Sequence, residues 1–368
     1  MTTKRTKILY VASTASHLHR FHQPYIEALR QNADVFLMAT EGEGIDFPIP
    51  FAKRFFSLRN FISILSIRRI LKRERFDRVI VNTTLAAFLI RAAMIGMKDR
   101  PYVLNIVHGY LFSEPIAGLR SKILLSCEKL LRRQTDEIVV MNAEDAKIAT
   151  AHRLCRGELR TIRGMGVTVP IGVPDKDLAL RAQYASETGE FLCTFVGELS
   201  GRKNQIFLIR AVARLRKEGI PVRLLLPGEG SERAVLEEEI ARLNLQNFVF
   251  LPGNCEPILP YLGITDLYVS ASTSEGLPFN VMEAMSCGLP LLLSDTKGQN
   301  DLLSDRSDAL YPLNDMDTFC EKLKRIYRAR QFGAGSCSYP ILEKYRLDAV
   351  FEENLCIMTG GEADAELS

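Results

Sequence analysis

The sequence predicts an α/β protein built as two consecutive parallel-sheet units. Three observations carry that expectation. Short β-branched runs alternate with helical patterns from end to end. The 368 residues exceed what one hydrophobic core usually fills. A Gly- and Pro-rich stretch, Gly164-Met165-Gly166 and then Pro170 to Pro174, interrupts the alternation near the middle.

In the first half, runs of apolar and β-branched residues predict strands at 7–12, 34–39, 78–81, 102–107 and 137–141. Helical spacing predicts helices at 18–31, 61–73, 86–95, 119–133 and 144–152. The second half repeats the scheme, with strands at 191–197, 222–227, 248–251, 267–270 and 291–294 and helices such as 205–217 and 232–243. Leu236, Ile240 and Leu243 fall on one face of the last, as an amphipathic helix requires. The tail from Glu343 to Met358 is helical in pattern, and the final ten residues read as frayed. The expected domains are 1–170, 171–345 and a C-terminal helical segment, 346–368, free to pack back on the first domain.

Composition narrows the function classes. A hydrophobic content of 47% with 25% charged residues is that of an ordinary soluble globular chain. A net charge of +3 gives no argument for nucleic acid as a partner. The 8 cysteines are scattered, without a Cys-x-x-Cys pair or a His at zinc spacing, so reduced cytoplasmic thiols are expected. Lys4 to Lys7 followed by Ile8 to Ala12 resembles a secretory leader only briefly, because His17, His19, Arg20 and His22 follow at once. The apolar stretch 79–97 is interrupted by Asn82, Thr83, Thr84 and Arg91, so no membrane span is expected.

The densest chemistry lies between Ser274 and Met285, where Glu275 and Glu283 sit eight positions apart around the turn Gly276-Leu277-Pro278. Glycine lets the backbone pass close to a ligand, and proline suits the first turn of a helix. Amides at that helix start can hold an anion. The two carboxylates repel phosphate, so their natural partners are hydroxyls; together the two kinds of group describe a sugar nucleotide. Open α/β sheets bind ligands beyond the C-terminal ends of their strands. Three groups satisfy that rule: His108-Gly109, Arg202-Lys203 and Glu275. Two cations beside a helix start can neutralise a leaving diphosphate. A solvated basic turn is the competing reading.

Taken together, Gly197-x-Leu199…Lys203-Asn204, Pro227-Gly228-Glu229-Gly230 and Glu275-x7-Glu283 resemble family-four retaining glycosyltransferases of the GT-B fold. In the first half, His17…Phe21…Pro24, Val107-His108-Gly109-Tyr110 and Asn142-Ala143-Glu144-Asp145 are similar to the bacterial branch that builds capsular, exopolysaccharide or O-antigen repeat units. The resemblance implies two Rossmann-like domains facing across an interdomain cleft. It implies transfer of a hexose or N-acetylhexosamine from a UDP-linked sugar to a lipid-linked oligosaccharide, with front-face attack, no enzymic nucleophile, no cofactor and no metal. On this resemblance Arg202 and Lys203 hold the donor diphosphate, Glu275 faces the sugar hydroxyls, and Gly276 with the amides of Leu277, Phe279 and Asn280 lies near sugar and phosphate. Glu283 takes the ribose hydroxyls, His108 approaches donor sugar and acceptor, and Ser16, His17 and Gly109 line the acceptor side. The chain departs from the family pattern at Glu198, where Arg is frequent, and at Ala12 to His17, which replace a Gly-rich loop.

Other motifs have plainer readings. Gly228-Glu229-Gly230 is a partial dinucleotide fingerprint, better read as the turn before a helix. His17, His19 and His22 lack the i, i+4 spacing of a helical zinc site, so His17 is expected at the cleft and the others on the surface or in packing. Asp175-x-Asp177 and Asp315-x-Asp317 are better read as helix caps than as metal pairs. Residues 53–78 carry nine basic positions interleaved with Phe55, Phe56, Phe61, Ile64, Ile67 and Leu71. That face is expected either to rest on an anionic membrane, placing the protein on the inner surface of the cell membrane, or to be a solvated helix packed on the sheet. Two readings compete with transfer: a sugar-nucleotide epimerase or phosphorylase, and a non-catalytic subunit that supports a partner transferase.

Overall fold

The computed structural model describes residues 5–52, 57–112, 116, 118–167, 176–185, 189–303, 306–331 and 337–361. The chain divides into two compact units, one of Met1–Gly166 with Lys344–Ser368 and one of Val167–Glu343. Each is a parallel sheet with helical crossovers. The expected boundary residues Pro170 to Pro174 lie outside the described residues.

The first unit runs β1 (Thr6–Val11), α1 (Ala15–Asn32), β2 (Ala33–Ala39), β3 (Phe47–Pro48), α2 (Leu58–Glu74), β4 (Arg78–Asn82), α3 (Thr84–Ala93), β5 (Tyr102–Val107), α4 (Gly118–Leu131), β6 (Glu137–Val140), α5 (Ala143–His152) and β7 (Leu159–Thr161). Its seven strands are ordered β3-β2-β1-β4-β5-β6-β7. The chain winds outward in one direction from β1 and in the other from β4, so a topological switch lies between these two strands. Thr14 caps α1 by accepting from the amide of His17, and Asn142 caps α5 by accepting from that of Asp145. The central strands are apolar on both faces because helices cover both. One polar tie crosses that interior: Arg91 of α3, fully buried, donates to both oxygens of Glu128 on α4 at 2.8 and 2.9 Å.

The second unit runs α6 (Leu178–Tyr184), β8 (Phe191–Thr194), α7 (Gln205–Lys217), β9 (Val222–Leu225), α8 (Arg233–Arg242), β10 (Val249–Phe250), α9 (Leu259–Gly263), β11 (Leu267–Ser270), α10 (Phe279–Ser286), β12 (Leu291–Asp295), α11 (Gln299–Leu302), β13 (Leu310–Pro312) and α12 (Met316–Gln331). The order β10-β9-β8-β11-β12-β13 puts its switch between β8 and β11. Asp177 and Asp315 cap their helices by accepting from the amides of Leu180 and Thr318; Asp175 is outside the described residues.

After a 3-10 turn at Pro340–Tyr345, α13 (Leu347–Thr359) packs on α1 in the first unit. Phe351 stacks on Tyr25 at 5.0 Å, and the buried Asn354 amide donates to the Tyr25 hydroxyl and the Gly164 carbonyl, both at 2.9 Å. Gly166, at φ +82°, lets this join close: a Cβ there would lie 2.5 Å from the Leu347 backbone.

The short strands β3, β7 and β13 escape sequence reading because two or three residues carry no periodicity. The strand expected at 191–197 ends at Thr194. Beyond it the backbone still donates toward the β9 side, Gly197 to the Pro227 carbonyl, but on the β11 side Val196 turns to the Tyr268 hydroxyl. That departure shapes the site.

Candidate functional site

The switch in the second unit lies between β8 and β11, and the loops leaving those strands carry the predicted cations and the predicted carboxylate. The sequence reading set these groups apart, cations for phosphate and carboxylate for hydroxyls; the fold pairs them. Lys203 donates to Glu275 Oε1 at 2.7 Å, and Arg202 donates to Glu275 Oε2 at 2.7 Å and to the Ser274 carbonyl at 2.8 Å. Lys203 and Glu275 are buried, while the Arg202 side chain is 41% exposed. Burial works against the Glu275 charge, but the Lys203 and Arg202 cations outweigh it and hold the carboxyl down at about 2. Burial also lowers Lys203, and Glu275 opposes that; at contacts this short the ammonium keeps its proton.

Glycines make the assembly possible. Gly197, at φ +155°, sits under the Lys203 stem, 3.2 Å from its Cε to a would-be Cβ. Gly298, at φ +78°, presses on the turn that carries Glu275: a Cβ there would meet the Gly276 and Glu275 carbonyl oxygens at 2.6 and 2.9 Å. Gly228 and Gly230 bring the β9 loop against the backbone of Gly197 and Leu199, so the partial fingerprint is a packing turn.

Pro278 caps α10, and its carbonyl accepts the first helical bonds, from Val281 and Met282. Leu277 is buried; Gly276, Phe279, Asn280 and Glu283 are half-buried around the same turn. The Asn280 side chain faces inward, donating to the Val196 carbonyl at 2.7 Å and the Tyr268 hydroxyl at 2.8 Å, so it braces the two loops. Tyr268 lies between them: burial pushes its hydroxyl up, and the Glu283 and Glu275 carboxylates add to that. Sequence reading missed Tyr268, Gly298 and Lys297, whose carbonyl accepts from the Glu275 amide at 3.3 Å. The first sits within an apolar strand run, and the others belong to a loop whose only signal was its place after β12.

In the first unit, β5 delivers His108 and Gly109, the latter at φ +127°. Ser16 is exposed in the first turn of α1 and donates to Thr14 Oγ1 at 3.3 Å. His17 meets His108 edge to face at 4.9 Å. His22, placed by sequence reading on the surface or in packing, is fully buried and joins them, 5.2 Å from each ring. His19 is exposed and turns to the Glu43 carbonyl. Burial lowers all three clustered histidines, His17 to about 4 and the others well below their ordinary value, so they are neutral at pH 7.

Residues 9–164 match the family model described as "Glycosyl transferase 4-like domain", and residues 177–333 match "Glycosyl transferases group 1". The chain is 26% identical over 333 residues to EpsD of Bacillus subtilis, which carries a glycosyltransferase name, with 87% of each chain covered. It is 27% identical over 293 residues, 76% of this chain and 74% of the relative, to the Escherichia coli UDP-Gal:alpha-D-GlcNAc-diphosphoundecaprenol alpha-1,3-galactosyltransferase. Among solved structures, Anabaena HepE in complex with UDP and glucose superposes with a TM-score of 0.75 at 18% identity, over 96% of this chain and all of that one. The same protein in complex with UDP-glucose gives 0.73 at 18% identity, over 96% of this chain and 99% of that one.

Proposed function

From its membership of the family-four glycosyltransferases of the GT-B fold, we propose that this chain moves a hexose or N-acetylhexosamine from a UDP-sugar to a lipid-linked oligosaccharide in bacterial surface-polysaccharide assembly. The observation that carries the reading is the Arg202–Glu275–Lys203 triad at the switch point of the second unit. In the proposed mechanism the donor diphosphate takes the place of part of the Glu275 charge on the two cations, and Glu275 turns to the sugar hydroxyls. Glu283 binds the ribose hydroxyls. As the glycosidic bond breaks, Arg202 and Lys203 stabilise charge developing on the leaving diphosphate. With those cations in place no metal is needed at the diphosphate. The donor phosphate accepts the acceptor proton and the anomeric configuration is retained. His108, with Gly109, Ser16 and His17, serves the acceptor side. HepE's complex with UDP-glucose and the E. coli relative's named donor and acceptor support this choice of substrates.

The test is transfer from UDP-, GDP- and ADP-sugars to purified lipid-linked oligosaccharide, with product mass and anomeric configuration read out. Protection from thermal unfolding by UDP but not NAD is expected. Transfer with inversion, or protection by NAD alone, would sink the proposal.

A second part of the proposal concerns the membrane. Helix α2 has two apolar sides: Ile67 and Leu71 enter the core, whereas Leu58, Phe61, Ile62 and Leu65 are 57 to 83% exposed. Phe61, expected among the interleaved apolar set, belongs to the outer side. Arg59, Arg69, Lys72, Arg73 and Arg75 are exposed on the same helix and its end, and Leu119 and Leu130 of α4 are exposed too. Arg68 and Arg78 serve structure instead, donating to carbonyls of Ala93, Ile95, Ile357 and Met358. Lys53, Arg54, Phe55 and Phe56 lie outside the described residues. We propose that this side rests on the anionic inner leaflet; among the described residues no helix is long and apolar enough to cross a membrane. Flotation with anionic vesicles tests it, and binding unchanged after Phe61→Ser, Ile62→Ser, Arg69→Gln and Arg73→Gln together would remove it.

A further inference from the structure

The three-histidine cluster of the first unit is chemically richer than the acceptor-side role given to it. His17 and His22 come from α1 and His108 from the end of β5, and one ring nitrogen from each lies within 4.8 Å of the others. Among the described residues they form the one such group of His, Cys, Asp or Glu side chains. The Nε2 atoms of His17 and His22 are 3.3 Å apart. Two imidazole nitrogens bound at about 2.0–2.1 Å to one tetrahedral zinc are separated by roughly 3.3 Å. The pair is therefore already at the separation of two ligands.

The surroundings add two independent observations. His22 Nδ1 is 3.0 Å from the Tyr10 hydroxyl, and that hydroxyl directs its own hydrogen to Met358 Sδ. With Met358 Sδ in reach of its own hydrogen, the Tyr10 hydroxyl can accept an Nδ1 hydrogen, and in that tautomer the His22 Nε2 lone pair faces His17. A ligating histidine is ordinarily oriented by such a bond from its other nitrogen. The Nε2 atom of His108 is buried and has no hydrogen-bond partner among the described residues. A buried ring nitrogen without a partner is costly, and a cation bound through its lone pair relieves that cost.

We propose that His17, His22 and His108 bind one divalent metal ion of intermediate softness, zinc or a close analogue, with the remaining position open to water or a hydroxyl. Neutral imidazoles select such ions over magnesium or calcium, which require oxygen ligands. As the metal enters, the hydrogen on His17 Nε2 is exchanged through solvent for one on His17 Nδ1, so that His17 stays a neutral imidazole and ligates through Nε2. His108 draws in by at most about 1.5 Å, a side-chain rotation, to complete three ligands at tetrahedral spacing. This inference does not depend on the sugar-transfer reading, because it is read on the full chain without any nucleotide.

The experiment titrates chelator-stripped full-length protein with Zn2+ against a chromophoric chelator, and with Co2+ by visible absorption. One metal per chain is expected, with the intense bands of four-coordinate cobalt. His17→Ala is expected to weaken binding at least tenfold, as is His22→Gln, while His19→Ala, an exposed neighbour on the same helix, keeps wild-type affinity. Thermal unfolding of each variant establishes that it is folded; His17, half-buried, is the substitution the fold tolerates better. Absence of stoichiometric metal in the wild type would overturn the proposal, as would equal affinity in His17→Ala and wild type, or equal losses in His17→Ala and His19→Ala.

Discussion

Replacing Glu275 by Gln keeps the size of the side chain and removes the charge that Lys203 and Arg202 share. Both contacts are 2.7 Å and charge-assisted. Lys203 is 7% exposed, so the change leaves a buried cation without its counter-ion. Breaking a buried pair from one side costs about 3–5 kcal/mol. Arg202 is 41% exposed and water takes over much of its solvation, which favours the lower end. The displacement of the Glu275 carboxyl from 4.5 to about 2 corresponds to roughly 3 kcal/mol, the same size. For a unit of this length that lowers the melting temperature by about 6–12 °C. The acid dependence follows: with the folded carboxyl depressed, its stabilisation is complete above pH 4.5 and is lost as pH falls toward 2. The wild-type advantage over Glu275→Gln therefore shrinks through that window. In the variant, a diphosphate becomes the counter-ion the cations lack, so UDP raises its melting temperature more than it raises the wild type's. Calorimetry on the full chain, with and without UDP, reads both effects. A variant that melts within about 1 °C of wild type at pH 7 would refute the reasoning, because the triad would then carry no stability.

Glu283→Ala is expected to weaken UDP binding about tenfold or more, the worth of one or two hydrogen bonds to a carboxylate. Glu275→Gln should bind UDP more tightly than wild type and yet turn over more slowly; isothermal titration showing equal losses of affinity in both variants would remove that division of roles. Gly298→Ala places a methyl 2.6 Å from the Gly276 carbonyl at a φ of +78°, so loss of at least about 2 kcal/mol and of turnover together is expected by denaturant titration and transfer assay. His17 is depressed by burial from 6.5 to about 4, so the unfolded chain binds the extra proton in between. Stability measured in chelator should then fall as pH drops from 6.5 toward 4, with His22 and His108 contributing in the same direction, and His17→Gln should flatten the curve.

Much of the fold was legible because local rules and the global fold agree along most of the chain. β5 and β11 start and end where their apolar runs do, and α7 spans Gln205–Lys217 as its helical spacing predicts. The cations and carboxylates were legible from residue type and from their place after strands. The two sides of α2 were not: periodicity marks apolar residues but does not say which of two apolar stripes meets the sheet.

The linear sequence determined which groups stand at strand ends, because strand period and glycine turns are local properties. Only tertiary structure decided which of those groups meet. Arg202 and Glu275 are 73 positions apart, and they touch because β8 and β11 are neighbours in the sheet. His22 and His108 converge as well, although β4 lies between β5 and β1, the strand that leads into α1, and although the spacing of His17, His19 and His22 pointed away from any such cluster. Strand order is set by crossover winding and burial over the whole sheet, and no window of residues contains it.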